Sequence, residues 1–363
     1  MKKQRKYGSL SRFLAFVLSV TMLAGLCPQG VSFFGMSLTL PKVQAAQHTL
    51  SNPRIVKDSS MEAGQKVTWD CVYFGSYPQT EVVESGSKEE TSLKGINTYY
   101  GSKYQAVSRN AFAAIKNASY DANGDATVGG TKYRRLRLED VTYVGSFAWK
   151  GRYHYFKYEP IKWRVLSRKG NDALLLADVV LDTQKYNTEL EDVTWETSSI
   201  RSWLNGYEAF ANQPKKDYSR KNFLNSAFTS VQRNIIKTTS VVNNNNIAVG
   251  TAGGNNTLDK VFLLSESEVY NTDVAVGYGF VKNDNTEDEA RKSRSSRYAY
   301  AMGGWYDDEA RWWLRSPGCF SCYAAEVTSF GDAYSYGDDV NLSRDGVRPA
   351  LHLNLSSSNL YSY

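Results

Sequence analysis

The chain has 363 residues, with 43 Lys and Arg against 37 Asp and Glu and a formal net charge of +6. Six of those cations (Lys2, Lys3, Arg5, Lys6, Arg12 and Lys42) fall within residues 1–45, which hold no acid, so the rest of the chain sets 37 cations against 37 acids. A neutral body with 42 % hydrophobic and 13 % aromatic residues excludes a nucleic-acid binder with a single-sign surface, a disordered chain, a collagen, a coiled coil and a polytopic membrane protein.

The basic start up to Arg12, the apolar run Phe13–Leu26 and the small-residue site Val43-Gln44-Ala45 predict a signal peptide over 1–45, cleaved after Ala45. Fourteen apolar residues span about 21 Å, short of a roughly 30 Å hydrocarbon layer, so no stable transmembrane segment is expected after cleavage. Leu23-Ala24-Gly25-Leu26-Cys27 approaches a lipid-attachment box but has Leu26 where a small residue belongs. The expected location is secreted or cell-surface associated.

Residues 46–66 are polar and aperiodic and read as a linker. Val67–Phe74 is aromatic and β-branched, a strand expected to stop at Gly75 and Tyr77-Pro78. Ile161–Leu166 and Ala173–Ala177, joined through Lys169-Gly170-Asn171-Asp172, predict a hairpin. Ile200, Trp203 and Leu204 share a helix face opened by Ser198 and closed by Gly206. Leu224, Phe228, Val231 and Ile235 continue at helical spacing over 222–237, with Thr229 and Gln232 as a capping box for a second segment. Two more boxes, Ser265 with Glu268 and Thr286 with Glu289, predict helix starts. The Asn- and Gly-rich stretch 242–256 has too little apolar surface to order itself and reads as a loop.

Trp312–Arg315, Tyr323–Ser329 and the alternation of Val347, Leu351 and Leu353 return to strand, and Pro349 inside the last run needs an edge or a bulge. Strands at both ends with helices between them predict one α+β domain over 67–355, a mixed antiparallel sheet with its terminal strands paired, followed by a polar tail at 356–363.

Cys319-Phe320-Ser321-Cys322 lies between a Pro-Gly turn and a strand, without the helix N-terminus that a redox pair uses to stabilise its thiolate. A surface turn or local disulfide, a redox pair and a metal site remain open readings, and Cys71 is left as the odd thiol, expected in the interior of its strand. Only His48, His154 and His352 accompany the cysteines beyond the leader, at no ligand spacing, so no metal is expected. Asp121–Asp125 resembles the start of a calcium loop, yet Ala126 and Lys132 occupy the positions where Gly and Glu are needed, and a tight turn explains the same letters. No phosphate loop, dinucleotide fingerprint, nucleophile elbow or His-Glu-x-x-His is present, and no cofactor is expected. Glu189, Glu191, Asp192 and Glu196 read as a solvated face, and His154 and His352 as structural histidines.

The last quarter differs in kind. It places aromatics and short carboxylates in glycine-dense turns, a chemistry that stacks on flat ligands and accepts hydroxyl hydrogen bonds. The expected ligand-binding residues are Trp305, Tyr306, Asp307, Asp308, Arg315, Tyr323, Tyr334 and Tyr336, with Asp338 and Asp339 beside them. Of Trp312 and Trp313, at least one is expected in the core.

Several motifs occur in order: Val72-Tyr73-Phe74-Gly75-Ser76-Tyr77-Pro78-Gln79, Pro160-Ile161-Lys162-Trp163-Arg164-Val165-Leu166, Thr194-Trp195-Glu196-Thr197, Trp313-Leu314-Arg315-Ser316-Pro317-Gly318 and Gly346-Val347-Arg348-Pro349-Ala350-Leu351. Together they resemble an uncharacterised domain of exported and surface proteins from Gram-positive bacteria, over about residues 67–355. The coarse order is also similar to C-type lectin-like folds, the group that includes formylglycine-generating enzymes. That resemblance implies paired terminal strands, helices between them and an Arg-containing closing strand like Gly346-Val347-Arg348, while the enzyme branch's active-site thiols are not matched by Cys319 or Cys322. The expected function is an exported, non-catalytic module binding a glycan or a surface protein outside the cell. The alternatives are an extracellular enzyme acting on cell-wall or host polymers and a purely structural envelope protein.

Overall fold

The computed structural model describes residues 49–100, 104–141, 153–283, 286–304 and 310–363, with main chain only for 95–100. The expected leader at 1–45 and four of the expected site residues, Trp305, Tyr306, Asp307 and Asp308, lie outside the described residues.

The stretch read as a linker carries a hairpin, β1 (Arg54–Lys57) antiparallel to β2 (Gln65–Thr68). β3 (Cys71–Glu84) does not stop at Gly75 and Pro78 as expected. Register shifts between Tyr73 and Ser76 and between Pro78 and Thr80 take up both residues as irregularities in the pairing, the way a strand accommodates a residue without an N–H donor. Gly75 has φ +69°, and a Cβ there would lie 2.8 Å from the Ala227 carbonyl oxygen and against the Phe228 ring. A side chain is thereby excluded at that approach.

Helix α1 (Lys88–Tyr100), β4 (Tyr104–Val107), α2 (Arg109–Lys116), β5 (Asp125–Val128) and β6 (Thr131–Arg137) lead into the expected hairpin, β7 (Tyr153–Lys169) and β8 (Asp172–Ala177). After β9 (Asp182–Thr183), α3 (Ser199–Asn205) starts at Ser198 and ends at Gly206. Phe228 interrupts the next helical stretch, giving α4 (Phe223–Ala227) and α5 (Ser230–Ile235), the second opened by the Thr229–Gln232 box. β10 (Thr239–Val241), β11 (Thr257–Asp259) and β12 (Val261–Phe262) precede α6 (Glu266–Val269), which has the Ser265–Glu268 box, then α7 (Asp273–Gly277) and α8 (Arg297–Ala301). Thr286 and Glu289 open no helix. Buried Asp288 between them accepts from the N–H groups of Val281 and Ala290, both at 3.0 Å, and holds that stretch as a turn. β13 (Trp312–Pro317), β14 (Tyr323–Val327), β15 (Ala333–Asp339), β16 (Gly346–Val347) and β17 (Ala350–Asn354) complete the order.

An eight-stranded sheet runs β12-β17-β8-β7-β3-β4, with β6 also on β7 and β5 on β6; a five-stranded sheet runs β15-β14-β13-β16-β9. Pairing is antiparallel except for β3 with β4 and β13 with β16. The class is α+β, as expected, but the terminal strands do not pair. β3 and β17 share a sheet with β7 and β8 between them, because β17, with Leu351 and Leu353 fully buried, belongs in a central position between β12 and β8. The tail reaches β3 instead: Tyr73 and Ser362 exchange backbone hydrogen bonds of 2.8 and 3.0 Å.

Pro349 sits where the chain leaves the five-stranded sheet and enters the eight-stranded one. Arg348 beside it is fully buried, donates to the carbonyls of Ala177 (2.9 Å) and Arg291 (3.1 Å) and lies 4.9 Å from the Trp312 ring. Trp312 and Trp313 are both in the core, which is continuous through both sheets and α3–α5. Residues 242–256 form no strand or helix yet are held in place by polar anchors: buried Asn246 donates to the carbonyls of Pro317 and Ser335, each at 2.8 Å. Hydrogen bonding, and not apolar burial, supplies the order the composition seemed to deny.

Candidate functional site

The described members of the expected site divide. Tyr334 (43 % exposed) and Tyr336 (52 %) project from one face of β15, as period-2 alternation requires, with ring centroids 6.2 Å apart. β15 is an edge strand, paired only to β14. On the turn before β14, Phe320 (62 % exposed) meets the half-buried Tyr323 edge-to-face at 5.3 Å. The two pairs are neighbours, since Cys319 N–H donates to the Tyr336 carbonyl at 2.8 Å. Asp339 pairs with Tyr323 across the strands and its carboxylate raises the Tyr323 hydroxyl's pKa; Asp338 is 3.3 Å from Arg344.

Arg315 does not join this face. It is 4 % exposed and structural, donating to the carbonyls of Leu263 (2.7 Å) and Val242 (2.9 Å) and pairing with Glu268 at 2.5 Å. Cys71, Cys319 and Cys322 are free thiols of intermediate exposure, so Cys71 is less buried than expected, although burial still pushes its thiol up. The calcium-like letters form a turn in which Asp121 accepts from the N–H groups of Asn123 (2.8 Å) and Asp125 (2.9 Å). His154 pairs with Glu81 at 2.6 Å and His352 with Asp172 at 2.9 Å. Of the acidic stretch, Asp192 accepts from Ser321 (2.6 Å) and Glu196 from Asn255 (2.9 Å), so these two tie loops down.

A second place was not expected. A small concavity of about 50 Å³ that opens to solvent is walled in part by Tyr77, Arg134, Asp182, Gln184, Ser226 and Tyr298. Asp182 accepts from the Tyr77 hydroxyl at 2.5 Å, from Thr183 N–H at 2.7 Å and from Gln184 Nε2 at 3.0 Å. Burial pushes both the Asp182 carboxyl and the Tyr77 hydroxyl up. Arg134 is held by a bidentate pair with Asp125. The signal for Asp182 was present in the sequence as an acid closing the apolar run Val179-Val180-Leu181, where a charge survives only with partners. Its partner Tyr77, 105 positions earlier, carried no such mark.

A family model described as a domain of unknown function, DUF6273, matches residues 170–355, just over half of the chain. The chain belongs to the DUF6273 family. No curated protein and no solved structure gives a significant match. The DUF6273 segment opens at the β7–β8 turn and closes just after β17, so it holds the five-stranded sheet and the aromatic edge entire. The cleft is composite: Asp182, Gln184, Ser226 and Tyr298 lie inside the DUF6273 match, whereas Tyr77 and Arg134 come from β3 and β6 upstream of it. Among the described residues no helix is long and apolar enough to cross a membrane.

Proposed function

We propose that the protein is an exported, non-catalytic binding module of a Gram-positive cell envelope, whose aromatic edge takes a glycan. The observation that carries this reading is the group of rings from Phe320, Tyr323, Tyr334 and Tyr336 gathered on the edge strand and its adjoining turn. Such rings stack on the apolar faces of sugars, and Asp338 and Asp339 at the end of the same strand accept hydroxyl hydrogen bonds. The lectin-like likeness belongs to this reading and is supported only by the coarse order, with helices between β3 and β17 of one sheet, since those two strands do not pair. Export is supported by the charge and apolar pattern of residues 1–45, and the N-terminus of the secreted chain tests it directly.

The experiment is a glycan array followed by calorimetric titration of any glycan retained. At about 1 kcal/mol per stacked ring, replacing Tyr334 and Tyr336 together by Ala weakens binding about 30-fold. A chain that retains no glycan, or a double variant that binds as the parent does, overturns the reading.

An extracellular enzyme acting on cell-wall or host polymers is the second reading. It is favoured by the Tyr77–Asp182 pair, a carboxyl raised by burial in the wall of a cleft. Turnover of labelled peptidoglycan or mucin that disappears in Asp182→Asn would establish it in place of the first.

A further inference from the structure

The cleft has the chemistry of a small-ligand site independent of the aromatic edge. Arg134 is 5 % exposed yet forms part of the wall. Its Nε and Nη2 donate to Asp125 at 2.7 and 2.9 Å, so Nη1 is committed to no carboxylate. Asp125 also receives Lys132 Nζ at 3.0 Å and the Tyr158 hydroxyl at 2.8 Å. Two cations on one carboxylate leave the cluster with a net positive charge. The rings of Tyr77, Tyr158 and Tyr298 stand 5.9, 5.5 and 5.9 Å from the guanidinium and hold it in place.

The rest of the wall adds to that field. Lys221 and Arg135 contribute positive charge, while Asp140 is neutralised by Arg137 through bonds of 2.8 and 2.7 Å. Acceptors are also present. Asp182 uses three of its roughly four lone-pair positions on Tyr77, Thr183 and Gln184, and Gln184 Oε1 receives no hydrogen bond from the described residues. Beyond Asp125 the guanidinium meets, among the described residues, only the hydroxyls of Ser226 and Tyr298, and a buried cation with one carboxylate partner, next to acceptors with unused capacity, matches a ligand carrying both a carboxylate and hydroxyl groups.

We propose that this cleft takes the carboxylate of a small hydroxylated acid, the class that includes uronic acids, with the carboxylate on the Nη1 edge of Arg134, the rest of the ligand at the open mouth and a hydroxyl donating to Asp182 or Gln184. The test is calorimetric titration of the full chain with glucuronate, with glucose and inorganic phosphate as comparison probes. Glucuronate should bind at least about tenfold more tightly than either, a difference of about 1.4 kcal/mol. Lys221→Glu alters an exposed residue, leaves folding intact and should weaken glucuronate about fivefold with glucose unchanged. Gln184→Ala should weaken it by a similar factor, an effect that belongs to the cleft because Gln184 lines it and takes no part in the aromatic edge. Glucuronate binding no tighter than glucose, phosphate binding as tightly as glucuronate, or parent-like affinity in both Lys221→Glu and Gln184→Ala overturns the proposal.

Discussion

Replacing Asp345 by Asn changes little in shape and isolates one buried charge. Asp345 is fully buried, and neither of its carboxyl oxygens has a hydrogen-bond partner among the described residues. Arg311 Nε stands 3.5 Å from Oδ1, but Arg311 is shared with Glu326, another fully buried acid. Burial, reinforced by the repulsion of Asp338 and only partly offset by the attraction of Arg311, pushes the Asp345 carboxyl up from 3.8 to about 6. Between those values the folded chain keeps a proton that the unfolded chain has released, so this group lowers stability as pH rises through the window and leaves it lower above. The whole rise corresponds to about 3 kcal/mol, of which about 2 kcal/mol falls above pH 4.5. Asp182 and Asp288, raised by burial as well, add slope of the same sign. Glu81, Asp125, Asp178 and Glu268 are held below their ordinary values despite burial, so their opposite contribution is confined below about pH 4.5. Urea unfolding at intervals from pH 4.5 to 7 measures the effect. The parent should lose about 2 kcal/mol across that range through this group, and Asp345→Asn should run flatter and be the more stable at pH 7. Parallel curves for the two proteins would refute the reasoning.

Arg315→Ala should destabilise by about 3 kcal/mol, because it strips the cation from Glu268 and two carbonyl acceptors of their donor; a loss below about 1 kcal/mol in urea titration would mean that Arg315 is not structural. Gly337 has φ +70°, and a Cβ there would fall on the Ala324 carbonyl oxygen, so Gly337→Ala should cost about 2 to 3 kcal/mol and disturb Tyr336 beside it. An unchanged melting temperature would contradict this. In the native protein, Cys319 and Cys322 should react with a thiol reagent at once, and Cys71 more slowly because burial raises its thiol; a pair that reacts only after reduction would mean a disulfide.

What the sequence made legible was local. Ser198, Thr229 and Ser265 each satisfy backbone N–H groups within three residues, and all three helix starts stand where those letters put them. The same pattern failed at Thr286, where Asp288 had long-range work holding Val281. Gly75 and Pro78 were read as a stop by local rules, and the strand passes through them because pairing with β7 outweighs those rules. Exposed rings on β15 follow from alternation, but Arg315 shows the limit: a cation in a strand is the same letter whether it faces solvent or pins a buried Glu268. The cleft was invisible because Tyr77, Arg134, Asp182 and Tyr298 meet only through tertiary contacts, across 221 positions of chain from the first to the last.

The crossing at Arg348-Pro349 bears on how such a chain comes to be made. β16 is inserted between β13 and β9, and β17 between β12 and β8, so the final strands are the inner staves of both sheets. As the chain emerges N-terminus first, neither sheet can close until residues 346–354 have followed. A nascent chain stalled just short of them would therefore be an open scaffold in both layers at once, and a truncation of the 18 residues from 346 onward should abolish folding as thoroughly as the loss of a whole domain.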